Sequence, residues 1–247
     1  MDPKLKTGFL EKWAKYFGKA ELPIVFFYSK EKKDVPLAEP TGGWSCIICE
    51  LASVRKGESL AYQEDNLLCG GSKRYLGYTQ KMRPNFEYFL SCGIPGKMKG
   101  ERYIRTPEMV KEIIKNTPAI VKNDEYIIFK RWDKIEEEEE PISVIFFATP
   151  DVLSGLFTLA NFDQVEGNGI FAPFGSGCSS IIYRAYQENE KENPRAVLGM
   201  FDPSARPCVP KDTLSLSVPM KKFVKMIGYM DESFLITETW GTIKKRI

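Results

Sequence analysis

The sequence predicts a mixed α/β domain, a mixed sheet flanked by helices, and three observations carry that prediction. Short apolar runs rich in β-branched and aromatic residues recur at 23–28, 126–131, 142–148, 196–201 and 214–218. Segments with apolar residues at helical spacing lie between them. Asp2-Pro3, Thr106-Pro107 and Thr149-Pro150 each place a capping residue before a proline that fits the first turn of a helix. Strands interspersed with helices argue for one mixed sheet. The 247 residues suit one large domain or two small ones. The acidic run at 136–140 is a candidate boundary, but the strands flanking it look buried and able to pair, so a single domain over 1–247 is expected.

The elements follow in order. The opening helix is capped by Asp2, carries Leu10, Trp13 and Phe17 on one side, and ends at Gly18. A buried strand over 23–28 leads into a polar loop over 29–43. A helix is expected over 44–54, with Ile48 and Leu51 on its apolar side, then a short strand over 60–62. Residues 66–78 read as an irregular Gly-rich segment centred on Cys69-Gly70-Gly71-Ser72. A short helix over 84–91, a long Gly- and Pro-containing loop over 92–105 and a helix over 106–116 come next. The strands at 126–131 and 142–148 bracket five consecutive glutamates, which read as a solvated loop because like charges repel. A helix over 149–161, a loop over 171–178, a helix over 179–192 and a strand over 196–201 lead to a Pro-rich loop over 202–212. A strand over 214–218, a helix over 219–230 with Phe223, Ile227 and Met230 on one side, and a last helix over 239–246 complete the chain.

Composition narrows function by exclusion. Hydrophobic residues make up 43% and charged residues 28%, enough for a sizeable core without disulfides or metals. Lys plus Arg is 35 against 33 for Asp plus Glu, and a net charge of +2 gives no reason to expect nucleic acid or a membrane as partner. There is no histidine, which rules out Ser-His-Asp and Cys-His catalysis and every His-ligated metal site. Acid–base work falls to Asp, Glu, Lys, Tyr or Cys. The start shows no apolar leader and no stretch has the ~20 apolar residues of a membrane span. A cytoplasmic protein is expected, and in that compartment its six cysteines read as thiols or metal ligands in preference to disulfides.

The cysteines are the strongest chemical signal. Cys46-Ile-Ile-Cys49 is a C-x-x-C on an expected helix, with an interior that also suits core packing. Cys69 and Cys178 share a context, a thiol in a Gly-rich loop, with Gly70 and Gly71 after one and Gly175 and Gly177 before the other. Glycine lets backbone N–H groups converge on an anion or on the sulfides of a cluster, and a helix start at Ser179 adds to this at Cys178. The dispersal of Cys46, Cys69 and Cys178 matches neither a zinc ribbon nor a bacterial ferredoxin run. Cys92 and Cys208 look incidental, with Cys208 half exposed after Pro207. Two other groups stand out. Asp202-Pro-Ser-Ala-Arg206 follows a buried strand, where α/β folds gather ligands, and Arg206 suits a carboxylate or phosphate unless it pairs with Asp202. Lys73 and Arg74 follow two glycines but lack P-loop spacing and read as a solvated basic turn.

Beyond these local signals stand Cys46 with Leu51-Ala52, Cys69-Gly70-Gly71 with Leu76-Gly77, and Gly100-Glu-Arg-Tyr103. On these motifs nearly the whole chain resembles the prokaryotic family called domain of unknown function 169, found in archaea and anaerobic bacteria. The resemblance continues in Leu159-Ala-Asn-Phe162, Pro173-Phe-Gly-Ser-Gly-Cys178, Pro194-Arg-Ala-Val-Leu-Gly199, Asp202-Pro-Ser-Ala-Arg206, Val218-Pro-Met220 and Ser233-Phe-Leu235. It implies cysteine at the places of Cys46, Cys69 and Cys178, and not at those of Cys49, Cys92 and Cys208; it implies no activity. One departure is Cys69-Gly70-Gly71-Ser72, where members often read Cys-Pro-Gly-Gly.

The expectation is therefore a cytoplasmic protein of an anaerobe that binds an iron–sulfur cluster, four-iron (4Fe-4S), through Cys46, Cys69 and Cys178. One iron is left open or is closed by Cys49. An open iron would take a small anionic substrate near Arg206 or Lys73, as an enzyme does; a closed site would serve a redox partner or a sensor. The competing expectation is a non-metal module or enzyme in which Gly70, Gly71, Gly175, Gly177 and Arg206 hold a small anionic ligand and the cysteines are structural. A scaffold subunit is a third class, and a homodimer is the default oligomer.

Overall fold

The computed structural model describes residues 1–39, 46–122 and 124–247. The first helix, α1 (Pro3–Phe17), begins as its sequence dictates: the Asp2 carboxylate accepts the Lys4 N–H at 2.8 Å and proline occupies the first turn. Strand β1 (Ile24–Ser29) follows, then α2 (Ile47–Arg55), β2 (Ser59–Tyr62), α3 (Gly70–Tyr75), α4 (Phe86–Leu90) and α5 (Pro107–Lys115). After β3 (Tyr126–Arg131) and β4 (Ser143–Ala148) come α6 (Pro150–Ala160) and the two-residue β5 (Ile170–Phe171). A helical turn opening at Gly177 runs as π-helix over Ser179–Tyr183 into α7 (Arg184–Asn189). The chain ends with β6 (Ala196–Gly199), β7 (Leu214–Pro219), α8 (Met220–Tyr229) and α9 (Glu238–Lys244).

The strands form one sheet in the order β2-β3-β1-β4-β7-β6-β5. Every neighbouring pair is antiparallel except β5 with β6, so the sheet is mixed, as the sequence predicts. Central strands are covered on both faces, and β4 shows how: all six residues are buried and alternate between two cores. Val144, Phe146 and Ala148 pack with Phe9, Trp13, Phe17, Phe223 and Trp240, from α1, α8 and α9. Ile145 and Phe147 face the opposite core, with Ile48 and Leu51 of α2, Ile181 and Ile182, and Cys178. This second core underlies the candidate site.

Three local expectations are corrected. Residues 70–75, expected irregular, form α3; six residues led by two glycines carry too little apolar periodicity to announce a helix. The run of glutamates is not wholly solvated: Glu139 is buried and its carboxylate meets Lys130 Nζ at 2.6 Å and the Glu136 N–H at 2.8 Å. Arg74 is buried, not a solvated cation; it donates to the carbonyls of Gln80 and Thr117 and ties α3 to distant loops. Residues 44 and 45, the expected start of α2, lie with Gly42 and Gly43 outside the described residues.

Candidate functional site

Three of the six cysteines occupy helix starts on one side of the sheet. Cys46 is the N-cap residue of α2, with extended backbone, and is half-buried. The N–H groups of Ile48 and Cys49 lie near its sulfur and favour the thiolate, but burial outweighs them and pushes the thiol above its ordinary value. Cys69 is the N-cap residue of α3, half-buried, its Sγ 3.7 Å from where a Cβ on Gly71 would stand. Cys178 stands in the helical turn that opens at Gly177 and is buried. Its Sγ lies 3.3 Å from the Ser176 hydroxyl, and the Ser72 hydroxyl of α3 also reaches it. Burial pushes the Cys178 thiol up to about 12, against the help of Ser176.

The fold brings these thiols together. Charge on Cys69 or Cys46 raises the cost of charging Cys178, and charge on Cys69 does the same to Cys46. Such coupling needs proximity, so three segments far apart in the chain present sulfur to a common region. Among the described residues, no three His, Cys, Asp or Glu side chains make a group ready to hold a single metal ion. A cluster makes a different demand, because it spreads its thiolates over several irons and asks for wider spacing than one ion.

The surroundings are built from residues that sequence reasoning valued differently. Asp202 is buried and its carboxylate accepts from Gly177 N at 3.3 Å, Ser204 N at 3.0 Å and Ser204 Oγ at 2.8 Å. It does not pair with Arg206; it fixes the turn that holds Cys178, and its charge reaches Cys46. Gly177 serves close packing, since a Cβ there would stand 2.9 Å from Ile48 Cγ1 and 3.1 Å from Ala205 Cβ. Gly70 and Gly71 are the first two residues of α3, and Gly175 lies beside Ser179. Arg206 turns away from the thiols, and its guanidinium donates to the carbonyls of Thr213, Lys211 and Pro210. Two tyrosines that no motif marks also meet the site. Tyr62 of β2 is buried beside Glu50 and Cys46, and Tyr75 of α3 lies near Cys178; burial pushes both phenols up, Tyr75 to about 12. A strand tyrosine and a helix tyrosine carry no sequence signal of such a role.

The remaining cysteines correct the sequence reading. Cys49 and Cys208, 159 residues apart, are joined in a disulfide, whereas the sequence predicts thiols or metal ligands and an incidental Cys208. The pairing is tertiary and no spacing rule reveals it. It also removes Cys49, as it stands here, from the role of fourth ligand. Cys92 is free and exposed.

A family model described as "Uncharacterised ArCR", DUF169, matches residues 14–228. The chain belongs to that family. The match spans all three thiol segments of this DUF169 chain, together with α2, α3 and the loop that carries Asp202. No curated protein and no solved structure matches it. Among the described residues, no helix is long and apolar enough to cross a membrane.

Proposed function

We propose that the chain is an iron–sulfur protein that holds its cluster, of the four-iron class, through Cys46, Cys69 and Cys178. One observation carries the reading: three free thiols from three separate segments are near enough to couple, and each stands at a helix start. The donor set suits soft iron–sulfur chemistry, being thiolate alone in a chain without histidine. The hydroxyls of Ser72 and Ser176 and the N–H groups of Ile48 and Cys49 are placed to stabilise negative sulfur. When bound, such a cluster supplies one-electron transfer or, at an iron without a cysteine, a Lewis acid. The protein's part is to exclude water from Cys178, to fix the Gly177 turn through Asp202, and to hold Cys46 at the head of α2. Three thiolates leave one iron of a four-iron cluster for an anion, water or a partner's ligand. Cytoplasmic location and a redox partner belong to the same proposal.

The test is purification without oxygen, an absorption spectrum, and iron and sulfide assays on the same sample. A brown protein with stoichiometric iron and sulfide is expected. Cys46→Ser, Cys69→Ser and Cys178→Ser should each abolish the colour, and Cys92→Ser should leave it. A colourless, iron-free protein that stays so after cluster reconstitution would overturn the proposal.

A further inference from the structure

The disulfide lies next to the thiol site without belonging to it. Cys49 is one turn along α2 from Cys46, and Cys208 ends the short turn Arg206–Cys208 of the loop that carries Asp202. That loop, 200–213, lines the thiol region from one side. Its Asp202 holds Gly177, and its Ala205 packs at Gly177 together with Ile48 of α2. Yet the loop contains little regular structure, and Phe201, Pro203, Ser204, Pro207 and Pro210 are exposed. The bond to Cys49 is therefore the covalent tie between this loop and α2.

The tie is open to chemistry. Cys49 is exposed and stands on the wall of a surface cleft lined by Glu39, Glu50, Ser53 and Lys56. Cys208 is half-buried behind it, packed against the core that holds Cys178. Thiol–disulfide exchange needs access to one sulfur, and Cys49 is the exposed partner of the pair.

We propose that Cys49–Cys208 is a redox-reactive latch, opened by a dithiol reductant attacking from the cleft, which frees loop 200–213 from α2 and uncovers the thiol site. In the first step a reductant thiolate bonds to Cys49 Sγ and the Cys49–Cys208 bond breaks. Cys208 leaves as a thiolate and takes up a proton. The reductant's second thiolate then attacks its own sulfur in the mixed disulfide and releases Cys49. The balance is one protein disulfide reduced to two thiols and one dithiol oxidised to its disulfide. The latch concerns access to the site and needs no bound cluster, so its failure and the failure of the cluster reading are distinguishable.

The experiment uses the full chain, air-oxidised and free of metal. N-ethylmaleimide labelling is resolved by mass at each cysteine, before and after native treatment with dithiothreitol. Hydrogen exchange is followed in peptides covering 200–213. Before reduction Cys92 should label fast and Cys49 and Cys208 not at all. After reduction Cys49 and Cys208 should label, Cys178 should label at least tenfold faster, and amide exchange over 200–213 should rise at least tenfold. Cys208→Ser, checked for cooperative unfolding, should show the fast loop exchange without reductant; if it does not fold, the wild-type comparison decides alone. The proposal is overturned if the disulfide yields only in denaturant, or if Cys49 and Cys208 label before reduction. It is equally overturned if reduction leaves either Cys178 labelling or loop exchange unchanged.

Discussion

Gly177→Ala probes the junction on which the thiol site depends. The added methyl would sit 2.9 Å from Ile48 Cγ1 and 3.1 Å from Ala205 Cβ. Neither neighbour is the loose end of a flexible side chain: Ala205 Cβ is fixed by its backbone, and Ile48 Cγ1 is an inner carbon of a buried residue. Relief must come from moving α2, the Cys178 turn or the Asp202 loop, and such overpacking costs about 1–3 kcal/mol. At about 2–4 °C per kcal/mol for a chain of this size, Tm should fall by about 2–12 °C. Gly70→Ala is the control, since Gly70 also opens a helix but has nothing within 4 Å of an added Cβ. It should be neutral or gain up to about 1 kcal/mol from helix propensity. Adding Ala205→Gly to Gly177→Ala removes one of the two close contacts and should return part of the loss, a coupling of about 0.5 kcal/mol or more. Thermal and urea unfolding of five proteins, wild type, Gly177→Ala, Gly70→Ala, Ala205→Gly and the double variant, measure all of this. A Gly177→Ala protein as stable as wild type, or a Gly70→Ala protein equally damaged, would refute the packing argument.

Three further outcomes are expected. Asp202→Ala should destabilise by about 1–3 kcal/mol in urea titrations, because Gly177 N and Ser204 N lose a buried acceptor, and Asp202→Asn, which keeps one acceptor oxygen, should lose less. Burial raises the Glu188 carboxyl, but the Lys191 and Arg195 hydrogen bonds outweigh it and hold the group below its ordinary 4.5. Its stabilisation is thus present above about pH 4.5 and lost as pH falls through the lower folded value, so stability profiles of Glu188→Gln and wild type should separate at pH 7 and converge in acid. Cys178, pushed up to about 12 by burial, should be alkylated slowly in the folded metal-free protein at pH 8, with a rate rising about tenfold per pH unit; a rate matching that of exposed Cys92 would show that it is not buried.

What the sequence revealed follows physical range. Apolar runs of β4 length and proline-led helix starts are local, so β4, α1, α5 and α6 fall within a residue or two of their expected positions. The helix α3 escaped because its cap, Cys69, is not one of the usual oxygen-bearing caps and its first two residues are glycines. The buried Glu139 escaped because a run of like charges says nothing of a single lysine on a neighbouring strand. For the site, the thiols at 46, 69 and 178 were legible one by one, each beside a turn or helix start. Their partners were not. The sequence leaves Asp202 and Arg206 either paired with each other or facing a polar ligand; Asp202 instead supports a turn, and Arg206 closes its own loop. The Cys49–Cys208 bond depends on where α2 and loop 200–213 meet, which only the assembled sheet decides.

Packing alone accounts for part of the thiol centre. A neutral cysteine behaves as a small hydrophobe, and one such residue in a core is ordinary. The polar company is harder to explain that way. Ser72 is buried, and burying a hydroxyl is unfavourable unless it bonds. It reaches Cys178, where a neutral thiol is a weak partner and a thiolate a strong one. On the proposed reading, such a donor serves sulfur that carries negative charge, while burial keeps the free thiol neutral. A positively charged centre that takes up the thiolates as their protons leave would reconcile the two.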